Sequence, residues 1–216
     1  MASNTIPETD LKPALAYYYQ DGLYLNITNR CPTACSFCVK RPWQWRYRGW
    51  NLKLNGEPPV AAILAEARKA AAAKPAKELV FCGYGEPTYR LDVIRAVAAE
   101  MRREFPSLRR RLNTVGLGNA IWKGSIVPDL KDRIEAVSVS LNAANQEEWR
   151  RIQRPAPAYR NSFEDVLSFI RECVAAGLET RVTAVEGIGS DPEAVRAMAQ
   201  KLGAEYFLRP SLDDEN

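Results

Sequence analysis

The sequence of 216 residues contains no histidine and only five cysteines. The missing histidine excludes Ser-His-Asp triads, Cys-His nucleophile pairs and zinc sites with mixed cysteine and histidine ligands. The chain also lacks any apolar run of 18 or more residues, which a membrane-spanning helix would need. Its first residues, MASNTIPETDLKP, have no apolar segment of the kind found in signal peptides. We therefore expect a cytoplasmic protein that does not engage a membrane.

Composition places few further limits on function. Hydrophobic residues make up 46% of the chain, which is enough to build a packed core and excludes a disordered scaffold. The formal net charge of +4 is compatible with an anionic substrate or with nucleic acid, but requires neither.

Short strand-like segments alternate with longer helical ones along the chain. The predicted strands are Leu23–Thr28, Glu78–Cys82, Arg111–Val115, Ile134–Leu141, Glu179–Val185 and Ala204–Leu208. The predicted helices are Val60–Ala73, Leu91–Phe105, Gln146–Gln153, Phe163–Ala176 and Pro192–Leu202. This alternation predicts parallel strands joined by right-handed crossovers, in an α/β fold that is either a doubly wound sheet or an incomplete barrel.

The chain shows no internal repeat or linker, so the pattern predicts one core domain over residues 21–216, with no auxiliary domain. Residues 1–20 are predicted to form an N-terminal extension. The segment AYYYQDGLYLNI, with Asp21-Gly22 at its turn, predicts a hairpin that leads into the first core strand.

Three of the five cysteines, Cys31, Cys35 and Cys38, fall within eight residues directly after the first core strand. Random placement of five cysteines would give roughly 0.003 matches to this C-x3-C-x2-C spacing, so chance is a poor explanation. A structural zinc site would need four ligands, the fourth being the distant Cys82 or Cys173. An iron–sulfur cluster held by three thiolates would leave one iron open to a chelating small molecule.

The spacing, with aromatic Phe37 before the last cysteine, resembles the cluster motif of radical S-adenosylmethionine (SAM) enzymes. The resemblance implies a [4Fe–4S] cluster on the three cysteines and SAM on the open iron. It also implies reductive cleavage of SAM to a 5′-deoxyadenosyl radical and abstraction of a hydrogen atom from a substrate. A reductant such as flavodoxin or ferredoxin would be the protein partner, and the cluster would be oxygen-sensitive.

A second motif follows the second core strand, where Gly83-Tyr84-Gly85-Glu86-Pro87 resembles the G-x-G-E-P form of the superfamily's methionine-binding turn. Glycine permits close approach of the backbone to a ligand, and Glu86 could supply charge to the SAM ammonium group. We predict that all five residues contact SAM.

Later strand ends resemble the superfamily's remaining SAM contacts. Thr114 closes the third strand, where relatives carry a polar turn, and Val185 closes the fifth, where it is a candidate adenine contact. Ser138, Ser140 and Asn142 alternate with apolar residues, which predicts one polar face that lines a ligand channel. The alternative for the serines is that they merely fill a narrow interior.

Within this superfamily, the chain from about Leu23 to Arg209 resembles the TatD-associated radical SAM family. The matching stretches are LYLNITNRCPTACSFCVKR, ELVFCGYGEPTYRLDV, LNTVGLGNAI and VSVSLNA. This resemblance implies an incomplete (β/α)6 barrel of TIM-like, mostly parallel strands, but assigns no reaction.

The segment after the cysteines interleaves Trp and Tyr with arginine and includes Arg41, Trp43 and Trp45. It is either a lid that stacks on a ring and pairs with an anion, or a cover whose aromatic residues only hold the loop in place. Arg154 and Arg209 are further candidate anion ligands.

The leading hypothesis is a radical SAM enzyme acting on a small anionic substrate. A ring contraction like that of 7-carboxy-7-deazaguanine synthase, or modification of a peptide or RNA, is an alternative within the same class. An iron–sulfur electron-transfer protein is the alternative that is not an enzyme.

Overall fold

The computed structural model describes residues 12–212 as a mostly parallel sheet with helices packed against it. The strands are β1 (Ala16–Tyr19), β2 (Gly22–Leu25), β3 (Arg46–Tyr47), β4 (Trp50–Asn51), β5 (Glu78–Phe81), β6 (Arg109–Thr114), β7 (Ala136–Ser140), β8 (Glu179–Val185) and β9 (Glu205–Arg209). The helices are α1 (Val60–Ala73), α2 (Leu91–Glu104), α3 (Gly118–Trp122), α4 (Val127–Lys131), α5 (Gln146–Gln153), α6 (Phe163–Ala175) and α7 (Pro192–Lys201).

The main sheet has the order β1-β2-β5-β6-β7-β8-β9. Its six strands from β2 to β9 pair in parallel and in chain order, and helices separate consecutive strands after β5. Strand β1 adds an antiparallel edge to β2, so the predicted N-terminal hairpin belongs to the sheet. Residues 1–11 of the predicted extension lie outside the described residues. Six parallel strands, joined in this order by five helical connections, agree with the predicted incomplete barrel.

The two faces of the sheet differ in chemistry. One face carries fully buried apolar side chains, such as Leu23, Phe81 and Val139, and forms the main core with the helices. The other face carries half-buried polar residues, among them Ser138 and Ser140 on β7. Since alternate residues of a strand point to opposite faces, this burial pattern agrees with the polar face predicted for Ser138 and Ser140. Asn142 lies beyond the end of β7 and is fully buried, so it does not continue that face as predicted.

The helix boundaries predicted from caps are close to those observed. Asp191 accepts hydrogen bonds from the N–H groups of Glu193 (2.9 Å) and Ala194 (3.3 Å) and so caps α7. Gly177 and Gly203, with φ of 79° and 74°, terminate α6 and α7 in the left-handed conformation.

One local expectation was wrong, and two short helices were missed. The hairpin turn consists of Gln20-Asp21 rather than Asp21-Gly22, because Tyr19 pairs with Gly22. Gln20 takes the left-handed conformation there with φ of 51°. Helices α3 and α4 were not predicted, since each is only five residues long and shows no full helical period.

Candidate active site

The three clustered cysteines lie on one loop at the carboxyl end of β2. All three are half-buried, and the Thr33 hydroxyl lies 3.4 Å from Cys31 Sγ and 3.3 Å from Cys35 Sγ. Burial raises the pKa of Cys31 and raises that of Cys35 to about 12. Within residues 12–212, no three His, Cys, Asp or Glu side chains surround one point as ligands of a single metal ion. A four-iron cluster does not need that convergence, since each thiolate binds its own iron, and three thiols on one loop fit such a group.

Main-chain hydrogen bonds hold this cysteine loop against residues 152–156, the segment that ends α5. The N–H groups of Ala34 and Ser36 donate to the carbonyls of Arg154 (3.0 Å) and Ile152 (2.9 Å). In return, Ala156 N–H donates to Pro32 O (2.8 Å). Arg154 therefore contacts the loop through its carbonyl, while its side chain is exposed, and its role as an anion ligand stays a prediction.

The side chain of Gln153, which the sequence analysis missed, joins this loop to β7. Gln153 is fully buried; the Cys35 thiol donates to its Oε1 (2.8 Å), and its Nε2 donates to Ser140 O (2.6 Å). Cys35 and Gln153 are 118 positions apart, and Gln153 ends an ordinary polar helix. No local sequence signal could have identified this contact.

The Gly83–Pro87 turn follows β5 and lies beside the cysteine loop, but Glu86 is not presented to a ligand. Glu86 is 1% exposed, and its Oε1 accepts from Thr88 N–H (3.1 Å), the Thr88 hydroxyl (2.8 Å) and the Thr114 hydroxyl (2.7 Å). Its Oε2 accepts from Val115 N–H (2.7 Å). Burial raises the pKa of Glu86, and these hydrogen bonds act in the opposite direction. Glu86 and buried Thr114 thus tie the end of β5 to the end of β6, and their contact with SAM stays a prediction.

The structure gives a second physical reason for glycine at positions 83 and 85, besides the close approach of a ligand that we predicted. A Cβ on Gly85 would lie 2.4 Å from Thr28 O and 2.6 Å from Arg30 O, and one on Gly83 would lie 2.2 Å from Asn26 Oδ1. Glycine is therefore required because the turn packs on the chain that leads into the cysteine loop. Glu86 N–H reinforces this packing by donating to Arg30 O (2.7 Å).

At the ends of β7 and β8, Asn142 and Val185 are joined directly. Asn142 is fully buried with φ of 59°, and its Oδ1 accepts from Val185 N–H (3.0 Å). Its Nδ2 has no hydrogen-bond partner among the described residues, and the same is true of Asn26 Oδ1 beside Gly83. Such buried polar atoms are costly unless a ligand or water satisfies them, so they suit a site that binds a polar molecule.

The aromatic loop (residues 39–51) packs its side chains over the polar face of the sheet. Trp43 is 7% exposed and forms a second apolar cluster with Tyr17, Tyr47 and Leu52. Trp45 is half-buried against Tyr84 of the turn, with ring centroids 6.2 Å apart. The Tyr84 hydroxyl donates to Arg46 O and fastens the loop. This burial favours the covering role for Trp43 over direct stacking on a substrate.

The remaining predicted residues differ in their exposure. Phe37 is half-buried on the cysteine loop, Pro87 is buried, and Arg41 is exposed. Arg209 is half-buried at the end of β9, and its Nε has no hydrogen-bond partner among the described residues. Burial lowers the pKa of Arg209.

Comparison with known proteins gives the context for this site. The sequence profile described as the radical SAM superfamily matches residues 25–202. None of the curated proteins matches the sequence. Within residues 12–212, no helix is long and apolar enough to cross a membrane.

Two solved structures of TsrM from Kitasatospora setae, a radical SAM methyltransferase, share the fold. The structure with cobalamin and a [4Fe–4S] cluster has a TM-score of 0.56 at 20% identity, covering 84% of this chain and 32% of that chain. The structure with tryptophan substrate and the SAM analogue aza-SAM has a TM-score of 0.54 at 21% identity, covering 85% of this chain and 34% of that chain. This chain therefore spans about a third of the length of either structure.

Proposed function

The chain belongs to the radical SAM superfamily, and from that premise we propose that it cleaves SAM reductively and abstracts a hydrogen atom from a small anionic substrate. Members of this superfamily are enzymes that bind a [4Fe–4S] cluster and SAM. The observation that carries the proposal is the cysteine loop, whose three half-buried thiols lie beside the Gly83–Pro87 turn.

Cys31, Cys35 and Cys38 would hold the cluster as thiolates. When bound, the reduced cluster and SAM supply a 5′-deoxyadenosyl radical that abstracts hydrogen. The contribution of the chain is to position the cysteines: the main-chain bonds to residues 152–156 fix the loop, and Gln153 binds the protonated Cys35 thiol and joins it to β7. A preorganised loop keeps the three sulfurs in one arrangement.

Around the open iron, the backbone of Gly83–Gly85 and the half-buried Ser138 and Ser140 would bind SAM. The unpartnered Asn142 Nδ2 is a donor suited to a carboxylate or ribose oxygen. Phe37 and Val185 would contribute apolar contacts. The aromatic loop would exclude water from the space beneath, which a reactive intermediate requires.

The resemblance to the TatD-associated radical SAM family supports no particular reaction, so the finer assignment stays a proposal. We favour a small molecule over a peptide or RNA, because the polar face of the sheet is a half-buried concave surface. A ring contraction of the 7-carboxy-7-deazaguanine type remains a second candidate on the same ground. We further propose a flavodoxin or ferredoxin as electron donor, a cytoplasmic location, an oxygen-sensitive cluster and a single core domain over residues 21–216.

Anaerobic reconstitution with iron and sulfide, followed by dithionite reduction with and without SAM, tests the proposal. We expect SAM to change the electron paramagnetic resonance spectrum of the reduced cluster and to yield 5′-deoxyadenosine and methionine. Cys38→Ala should yield neither product. An electron-transfer protein would instead keep the same spectrum with and without SAM and form no 5′-deoxyadenosine, which would refute the proposal.

A further inference from the structure

Charge is distributed unevenly along the chain. Every arginine on helices α1, α2, α6 and α7 forms an ion pair with a carboxylate. The segment that ends α5 and leads into α6, which we call the basic segment (residues 149–162), has the opposite character. It contains four arginines and no carboxylate, the arginines being Arg150, Arg151, Arg154 and Arg160.

The charges of the basic segment are held by neutral acceptors rather than by carboxylates. Arg150 Nε donates to Arg160 O (2.7 Å), and Arg151 donates to a backbone carbonyl after β8. Among residues 12–212, no carboxylate oxygen lies within 4.0 Å of Arg150, Arg154 or Arg160, and Arg151 reaches only Glu148, at 4.0 Å. A carbonyl oxygen orients a guanidinium group without cancelling its charge, so this segment presents a positive field.

The cysteine loop packs directly against the basic segment. The N–H groups of Ala34 and Ser36 donate to carbonyls of this segment, and Thr33 pairs with Pro155 in an isolated antiparallel bridge. Ala34 and Ser36 flank Cys35 and are exposed. The cysteine loop therefore reaches the protein surface at the edge of the positive field.

Small apolar residues lie between two of the arginines. Ala156, Pro157 and Ala158 are exposed, and they separate Arg154 from Arg160, whose side chains are exposed as well. Proline fixes its own φ angle, which restricts the backbone of this stretch. A small apolar centre with charged residues at its rim has the composition of a protein-docking surface.

We propose that the basic segment and the exposed edge of the cysteine loop form the docking surface for an acidic one-electron donor protein. The proposal rests on the radical SAM function proposed above and locates the surface at which the electron enters. One electron leaves the donor, which is oxidised, and enters the cluster held by the three cysteines, whose charge falls from 2+ to 1+. Opposite charges steer the two proteins together and orient the donor toward the loop.

The observations favour a protein donor over RNA, which a basic surface could also attract. Surfaces that bind single-stranded nucleic acid combine cations with aromatic rings on which bases stack. In the basic segment, all of which the structure describes, Trp149 is fully buried and Tyr159 is half-buried, so neither ring is freely exposed. The segment also contacts the loop to which an electron must be delivered.

The first test measures the affinity of reconstituted protein for oxidised flavodoxin, an acidic protein of the proposed class. Arg154→Gln/Arg160→Gln removes two exposed charges and should weaken binding about tenfold at low ionic strength. Added salt should reduce this difference, because it screens exposed charges. The matched control is Lys69→Gln/Lys131→Gln, which removes two exposed charges from α1 and α4 and should bind like wild type. Equal affinity of the three proteins, or no salt-dependent binding to wild type, would overturn the proposal.

The second test compares the rate of cluster reduction by reduced flavodoxin with the rate by dithionite, which is small and needs no docking surface. Flavodoxin should reduce the Arg154→Gln/Arg160→Gln variant about tenfold more slowly than wild type, whereas dithionite should reduce both at the same rate. Equal slowing with both reductants would show that the substitutions disturb the cluster itself and would overturn the proposal.

A single-stranded RNA oligonucleotide tests the alternative partner. A larger loss of RNA binding than of flavodoxin binding in Arg154→Gln/Arg160→Gln would assign the basic segment to RNA and overturn the proposal. Flavodoxin binding and cluster reduction require neither SAM nor its cleavage. They can therefore support the docking surface even if 5′-deoxyadenosine is never formed, and their failure leaves SAM cleavage driven by dithionite unaffected.

Discussion

The cysteine loop (residues 31–38) and the aromatic loop (residues 39–51) are consecutive in the chain but are held in opposite ways. The cysteine loop is fixed mainly through its backbone, by three hydrogen bonds to residues 152–156. The aromatic loop is fixed mainly by side chains: Trp43 and Tyr47 are buried, and the Tyr84 hydroxyl binds Arg46 O.

This difference separates binding residues from structural ones. A loop held by its main chain leaves its side chains available for a ligand, which suits three thiols on one segment. A loop held by its side chains has used them for packing, so mutation should be felt first as lost stability. The predictions below test this division.

The largest effect should come from the cysteine loop. Replacing Cys31, Cys35 or Cys38 singly by Ala should abolish iron retention after anaerobic reconstitution, because each thiolate binds a different iron. Cys173, fully buried in α6, is the matched control, since Cys173→Ala removes a thiol of the main core. Its iron content should equal that of the wild-type protein. Complete iron loss in Cys173→Ala would contradict the three-ligand assignment.

In the aromatic loop, Trp43→Ala should lower the melting temperature by roughly 10 °C, because deleting a buried tryptophan leaves a large cavity. Trp50 lies in the same loop but is 39% exposed, so Trp50→Ala is the control and should change the melting temperature by about 1 °C. Thermal denaturation followed by circular dichroism measures both.

If the aromatic loop acted as a lid over the substrate, the Trp43→Ala variant would behave differently. If Trp43→Ala melted like wild-type protein and instead raised SAM cleavage without substrate turnover, Trp43 would belong to the gating machinery. The division between the two loops would then be wrong.

Most of the sheet could be predicted because its strands are short apolar runs between clear breakers. Strand β8 and helices α1 and α5 were predicted to the residue. The errors fall where local pattern is weak, as in the five-residue helices α3 and α4. At Gln20-Asp21 the sheet register, not the Asp-Gly signal, sets the turn.

The site was predictable only in part. Local spacing identified the cysteines and the Gly83–Pro87 turn, since both lie on continuous segments. The contacts that sequence could not supply join distant positions: Cys35 with Gln153, and Glu86 with Thr114. The role of Gly85 depends on where Thr28 O and Arg30 O lie, which is a tertiary fact.

A smaller effect should come from Gln153, whose side chain joins the cysteine loop to β7. Gln153→Leu removes the amide between Cys35 and Ser140 O and should destabilise the protein by about 2 kcal/mol, because a buried carbonyl loses its donor. Reconstituted protein should release iron to a chelator at the wild-type rate, because an iron-bound Cys35 thiolate has no proton to donate to Gln153 Oε1. The control is Gln200→Leu, the same change at an exposed position of α7, which should alter neither quantity. Faster iron release from Gln153→Leu than from wild-type protein would contradict this assignment and show that the side chain also acts on the bound cluster.

The smallest effect should come from the hydroxyl that fastens the aromatic loop to the Gly83–Pro87 turn. Tyr84→Phe removes the donor to Arg46 O but keeps the ring contact with Trp45, so it should cost about 1 kcal/mol and lower the melting temperature by about 3 °C. Tyr206→Phe is the matched control, because the Tyr206 hydroxyl is buried without a partner among residues 12–212 and its removal should cost nothing. Iron content should stay at the wild-type value in both variants, since neither hydroxyl belongs to the cysteine loop. Equal melting temperatures for the two variants would mean that the hydroxyl does not fasten the loop, and burial of Trp43 and Tyr47 would then be what holds the loop in place.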